Sequence, residues 1–142
     1  MNPREVAIEI AARYNTNNPF DIARERNIGI LYEPMKMTLG FYVRYRRFQH
    51  IILNDDLSEG MQRFVCAHEL GHSILHADLN VPKLTRYTMF SRDKFERQAN
   101  TFAVELLLPD ELLREHEDCS IYQLAASFGI PQEFVDLKRI AR

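Results

Sequence analysis

The chain has little cysteine: Cys66 and Cys119 are the only two in 142 residues, with no C-x-x-C and no paired spacing. That excludes a cysteine-based zinc site and a disulfide framework, and it suits a reducing compartment. No apolar run approaches the roughly 18 residues that a membrane span needs. The opening Met-Asn-Pro-Arg-Glu-Val has no basic-then-apolar signal pattern either. A cytoplasmic protein with no membrane partner is the simplest expectation. Neither sign of charge dominates, since 18 Lys and Arg against 20 Asp and Glu leave a formal net charge of −2. Nothing there points to a non-specific polyanion binder. Basic Arg44, Arg46 and Arg47, and the mostly acidic stretch from Asp110 to Asp118, read as solvated surface.

What is present is ordinary for a soluble globular protein: 46% hydrophobic and 27% charged residues, in a length that fits one domain. Asn2, Pro3 and Glu5 open an amphipathic helix over 3–14, with Val6, Ala7, Ile10, Ala11 and Tyr14 at helical spacing. Asn18, Pro19 and Asp21 repeat that grammar for a short helix ending near 27–29. Three strand-like runs follow, Ile28 to Tyr32, Leu39 to Tyr45 and Gln49 to Leu53, the last two close enough to form a hairpin. Ser58 caps the next helix, which is apolar nearly all round and should therefore be buried. Gly71 within it marks a place where another backbone or a substrate approaches. Residues 77–91, with Pro82, read as a loop. Ser91 is expected to cap a second strong helix carrying Phe95, Ala99, Phe102, Ala103 and Leu106, stopped by Pro109 with a short helix beyond. The tail from Ser120 to Arg142 reads as two helices around Phe128-Gly129-Ile130, with Pro131 starting the second.

Chemistry concentrates in the first buried helix, where residues 68–72 read His-Glu-Leu-Gly-His. Four residues apart on a helix, His68 and His72 project from one face about 6 Å apart along the axis. They can point at one Zn²⁺, with Glu69 placed to act on a water there. Burying His68, Glu69 and His72 without a partner would cost several kcal/mol, about the scale on which a metal becomes the simpler explanation. A catalytic zinc generally needs a third protein ligand, and the candidates are His76, Glu96, His50 and His116. His76 lies about 12 Å along the axis from His68, too far for one ion to serve both, and reads as capping or packing the helix end. Glu96 is the better candidate. Asn100, four residues on, shares its face and can accept a hydrogen bond from a ligating imidazole.

With these flanks the sequence resembles the ImmA/IrrE-type metallopeptidases. The residues that carry the resemblance are His68-Glu-Leu-Gly-His72-x-x-Leu75-His76 and Glu96-x-x-Ala99-Asn100-x-Phe102-Ala103-x-x-Leu106-Leu-Leu-Pro109. Asn18-Pro19-Phe20-Asp21-Ile22-Ala23, Gly40-Phe41-Tyr42 and Ile51-x-Leu53-Asn54 add to it. The resemblance implies an α+β fold, a minimal thermolysin-like zincin with a small three-stranded sheet beside the site helix. It implies one metallopeptidase domain over 1–142, family-like over 3–109, with a helical tail over 110–142. It further implies His68, His72 and Glu96 as zinc ligands, Glu69 as catalytic base, and Asn100 supporting a ligand. Tyr42, Tyr45, Tyr87 and His116 are candidate oxyanion donors, among which the sequence does not choose. Family members of this size act as anti-repressors of phages and mobile elements, cutting a helix-turn-helix repressor. Two alternatives remain. The chain could sequester that repressor without cutting it. It could also bind DNA through 120–142, with Gly129 in the turn and Gln132, Lys138 and Arg139 on the second helix, around a structural zinc. Glu133 and Asp136 on that helix make direct DNA binding the weaker expectation.

Overall fold

A computed structural model describes residues 2–79 and 81–139. Helix α1 (Pro3–Tyr14) starts on Asn2, whose side chain accepts from the Arg4 and Glu5 amides, and ends with Asn15 in the left-handed region. Asn18 caps α2 (Pro19–Glu25) in the same manner. Strands β1 (Ile28–Glu33), β2 (Thr38–Tyr45) and β3 (Phe48–Asn54) then form the main sheet. β3 runs parallel to β1 and antiparallel to β2, so it lies between them. The three strands fall within a residue of their expected limits.

Among the described residues the sheet has four strands, not three. β4 (Leu84–Thr85) joins outside β2, giving the order β1-β3-β2-β4. Two residues are too few to show a period, so a strand of this length leaves no pattern in the sequence. A capping box between Thr85 and Thr88 turns the chain directly into the one-turn helix α4 (Arg86–Met89). The expected loop over 77–91 thus contains two short elements. β4 pairs only with Thr38 and Gly40. From Phe41 onward, the same side of β2 has no strand partner among the described residues.

One face of the sheet packs on α3 (Glu59–Leu75), capped by Ser58 as its sequence implies. Gly40 permits the close approach, because a Cβ there would lie 2.7 Å from Val65. Ile51 and Leu53 from β3 and Phe64, Val65 and Leu70 from α3 are wholly buried between the layers. The opposite face is uncovered toward the hairpin tip, where Val43, Tyr45 and Phe48 are exposed, and Leu31 on the neighbouring strand β1 is exposed as well.

Helix α5 (Lys94–Leu107) packs beside α3. Its cap is Asp93, not Ser91: the Asp93 carboxylate accepts from the Phe95 and Glu96 amides, while the Ser91 hydroxyl accepts from the Asp93 amide. A carboxylate beside the first free amides serves them better than the hydroxyl two residues upstream. What approaches Gly71 is neither backbone nor substrate but the Phe102 ring, 2.9 Å from where a Cβ would sit. The glycine lets the two site-bearing helices close on each other.

α6 (Asp110–Glu115) and α7 (Ile121–Ser127) follow. α7 ends with Gly129 at φ 74°, the Ile130 amide bonding to Ala125 O and the Gly129 amide to Ala126 O. This left-handed cap is one that glycine adopts without steric cost. Gly129 also abuts the backbone of Gly60 at the start of α3. The expected second tail helix is instead a six-residue 3₁₀ turn, Gln132–Leu137, and residues 140–142 lie outside the described residues. Phe134 and Val135 are buried in the core, so packing holds this segment in place. Lys138 is buried as well, its ammonium 2.7 Å from Glu105 and 2.6 Å from Asp110. The acidic stretch therefore begins in an ion pair rather than in solvent. A short 3₁₀ turn followed by a lysine that is consumed internally lacks the length and the free charge of a recognition helix.

Candidate metal centre

Helices α3 and α5 bring together three atoms that could serve as metal ligands. Glu96 Oε1 lies 2.9 Å from His68 Nε2 and 3.0 Å from His72 Nε2, and the two nitrogens are 3.1 Å apart. All three residues are buried, and they form a group able to hold a metal ion among the described residues. Ligands about 2 Å from a tetrahedral ion would sit roughly 3.3 Å apart, so the spacing suits one ion with slight expansion.

The proton positions sharpen this. Asn100 Nδ2 donates to the Met89 carbonyl at 2.9 Å, which fixes its Oδ1 as the atom facing His68. His68 Nδ1 donates to that oxygen at 2.7 Å. A neutral imidazole carries one N–H, so His68 Nε2 presents a lone pair toward Glu96. Lone pairs directed at one another in a buried site repel unless a cation lies between them. The donor set, two imidazoles and a carboxylate, is one that zinc accepts.

Glu69 faces the same space. Its Oε2 is buried without a hydrogen-bond partner, the sole such side-chain atom among the described residues. Burial pushes its carboxyl up to about 8, with His72 opposing that rise, Glu96 adding to it and the Tyr42 backbone amide opposing it. Burial acts to raise the Glu96 carboxyl. It is held down, at about 2, only when the facing His68 and His72 nitrogens carry hydrogens to donate; with those nitrogens bare, a cation would have to take the hydrogens' place. Two carboxyls in one site thus diverge, one charged and facing the nitrogens, the other poised near neutrality.

The centre opens into a cleft of about 610 Å³ walled by Tyr42, Val43, Arg44 and Arg46 of the β2 hairpin and by Ala77–Leu79 and Val81 opposite. Glu69, His72 and His76 form its floor. Of the four candidate oxyanion donors, Tyr42 lines this cleft. Its hydroxyl, however, donates to Gln49 Oε1 at 2.6 Å, and its backbone amide is the group turned toward Glu69. Tyr45, Tyr87 and His116 are not among the lining residues; Tyr87 is 86% exposed, and His116 Nδ1 donates to the Leu112 carbonyl. Among the other histidines, His50 sits on the opposite face of the sheet against Gly29. His76 lies outside the three-ligand group, its Nδ1 2.9 Å from His72 Nδ1 and its Nε2 2.7 Å from Gln98 Oε1. Burial pushes its pKa down. Sequence reasoning missed Gln98, which no motif marks. Cys66 is buried beside the site, and burial pushes its thiol up, so it is unreactive.

The chain is similar to known proteins over most of its length. Residues 23–138 match the Peptidase_M78 family model, described as the IrrE N-terminal-like domain. "Metallopeptidase ImmA" of Bacillus subtilis (strain 168) is 33% identical over 129 residues, covering 88% of this chain and 76% of that protein. "Uncharacterized immunity region protein 2" of Bacillus phage phi105 is 38% identical over 132 residues, covering 91% of this chain and 84% of that protein. The class is thus a metallopeptidase, and two packed helices carry a group that could hold a metal ion. The chain belongs to the ImmA/IrrE family.

Proposed function

We propose that the protein is a zinc-dependent metalloendopeptidase that cuts a helix-turn-helix repressor encoded by a phage or mobile element, and so relieves repression. The observation that carries the chemistry is the convergence of His68, His72 and Glu96 beside the unpartnered Glu69 oxygen. The relatives named for an immunity region and for ImmA support the repressor as target. The fold we read as a minimal thermolysin-like zincin, and residues 1–142 as one catalytic domain. Support for the latter comes from Arg4, which bonds Glu105 and Asp110 and so ties the first helix to the tail.

His68, His72 and Glu96 would hold the zinc, with Asn100 fixing the His68 ring. Bound there, the ion would act as a Lewis acid and lower the pKa of water toward neutrality. Glu69 takes the proton of the attacking water and hands it to the leaving amine; a carboxyl near pH 8 in the absence of metal is drawn down by a neighbouring cation into that working range. The open side of β2 beyond Gly40 receives an extended substrate by strand addition, which carries the scissile peptide past Glu69. Tyr42 or another donor on the cleft wall meets the developing oxyanion.

The test is incubation with the repressor encoded beside the protein's own gene, using wild type, Glu69→Gln and chelator-treated protein. Wild type should yield two fragments whose masses locate the cut. Glu69→Gln should retain zinc and lose cleavage by about 10²- to 10⁴-fold. Complex formation with the repressor and no fragments would favour sequestration, while full cleavage by Glu69→Gln would remove the base assignment.

A further inference from the structure

We infer that His76 and Gln98 form a positioning relay that fixes the ring and tautomer of His72, a role that rests on the zinc-site reading above. His72 Nδ1 and His76 Nδ1 are 2.9 Å apart, so one of them must carry the hydrogen. Gln98 Oε1 lies 2.7 Å from His76 Nε2 and accepts from it. With the ring hydrogen of His76 on Nε2, its Nδ1 is left to accept from His72 Nδ1–H. With its one hydrogen on Nδ1, His72 presents a bare Nε2 to the metal position, beside Glu96 Oε1 and His68 Nε2.

The His76 ring is held for this work. It is buried, and Phe95 packs edge-on against it with ring centroids 4.8 Å apart. α3 ends at Leu75, and the His76 amide still bonds to the His72 carbonyl, so backbone and side chain both fasten the two residues together. The two imidazoles of the site are thus supported by different chemistry from one helix. Asn100 serves His68 directly, whereas Gln98 serves His72 through a second imidazole. Were the Gln98 amide turned over, the chain of donors would reverse. A hydrogen would then fall on His72 Nε2, where no metal could bind.

Three variants separate these cases, read by zinc affinity in chelator competition and by the visible spectrum of the cobalt-substituted protein. His76→Leu removes the acceptor and should weaken zinc binding by about 10- to 100-fold, with a changed cobalt spectrum. His76→Asn places a carbonyl oxygen where Nδ1 was and should stay within about threefold of wild type. Gln98→Glu keeps an obligate acceptor on His76 Nε2 and should bind zinc at least as tightly as wild type. Wild-type affinity in His76→Leu, equal loss in His76→Leu and His76→Asn, or a loss in Gln98→Glu matching His76→Leu would each overturn the relay. A packing role alone would lower the melting temperature of the metal-free protein without moving affinity or spectrum. His72→Ala is the control for the underlying site. Undiminished zinc binding by that variant would remove the zinc-site reading itself, and the relay with it.

Discussion

Helix α5 carries two buried carboxylates, Glu96 and Glu105, two and a half turns apart, in surroundings of opposite character. Glu105 Oε1 accepts from Arg4 at 2.8 Å and Lys138 at 2.7 Å, and its Oε2 accepts from the Arg139 amide at 2.8 Å. Asp110 completes the group, with Arg4 and Lys138 both bonded to it. Two acids face two bases and every oxygen of Glu105 has a donor. Around Glu96 the partners are imidazole nitrogens whose lone pairs point inward, with an orphan oxygen on Glu69 nearby. Buried charge is common to both clusters and marks neither as functional. What separates them is whether the donors and acceptors balance without an added cation.

The sharpest way to break that comparison is to delete each carboxylate. Glu105→Ala should cost about 3–5 kcal/mol, because it leaves Asp110 alone to balance both Arg4 and the buried Lys138. Urea unfolding measures that loss, and zinc affinity should not change. Glu96→Ala should do the reverse, abolishing the zinc-induced rise in melting temperature while costing less stability in chelator. A saturating ligand at 100 times its Kd contributes about 2.7 kcal/mol, so the lost increment is easily read. Equal effects of the two variants on zinc binding would dissolve the distinction.

A smaller effect is expected where the helices meet. Gly71→Ala puts a methyl 2.9 Å from the Phe102 ring, and the overpacking of roughly 1–3 kcal/mol is offset by about 1 kcal/mol of helix propensity. Because the strain pushes α5 away from α3, zinc affinity should fall with stability. A stable variant with wild-type affinity would show that the gap tolerates a methyl. The smallest effect belongs to Asp110→Asn and depends on pH. The Arg4 hydrogen bond, against burial and with help from Lys138, holds the Asp110 carboxyl down at about 2 from an ordinary 3.8. A depressed carboxyl stabilises the fold fully above its unfolded pKa and loses that effect as pH falls through the folded one. The variant should therefore melt below wild type at pH 7, with the gap closing between pH 4 and 2. A gap that persists at pH 2 would mean the loss is one of packing.

These effects also divide along what a sequence can display. The three long strands and the two site helices are legible because a period of 2 or 3.6 repeats several times within each. β4 has two residues and the tail turn six, so neither completes enough of a period to be read. The His68–His72 spacing is local and speaks for itself. Gln98 against His76, by contrast, depends on how α5 rolls on α3, which is set by Gly71 and Phe102. Arg4 meets Glu105 across 101 residues, and no local pattern announces such a pair. The cap of α5 moved from Ser91 to Asp93 because both residue types signal a helix start and only geometry ranks them.

The unpaired side of β2 beyond Gly40 also has a meaning for the protein in concentrated solution. A strand rim able to hold a guest backbone can hold a second copy of itself, the first step of edge-to-edge aggregation. Arg44, Arg46 and Arg47 stand at the hairpin tip, and no carboxylate of the described residues lies within ion-pair distance of them. Two such rims approaching each other would crowd guanidinium groups of like charge. That protection is electrostatic and reaches about 8 Å at physiological ionic strength but only about 3 Å in 1 M salt. Colloidal stability should therefore decline as salt rises, the reverse of a protein kept apart by bulk alone.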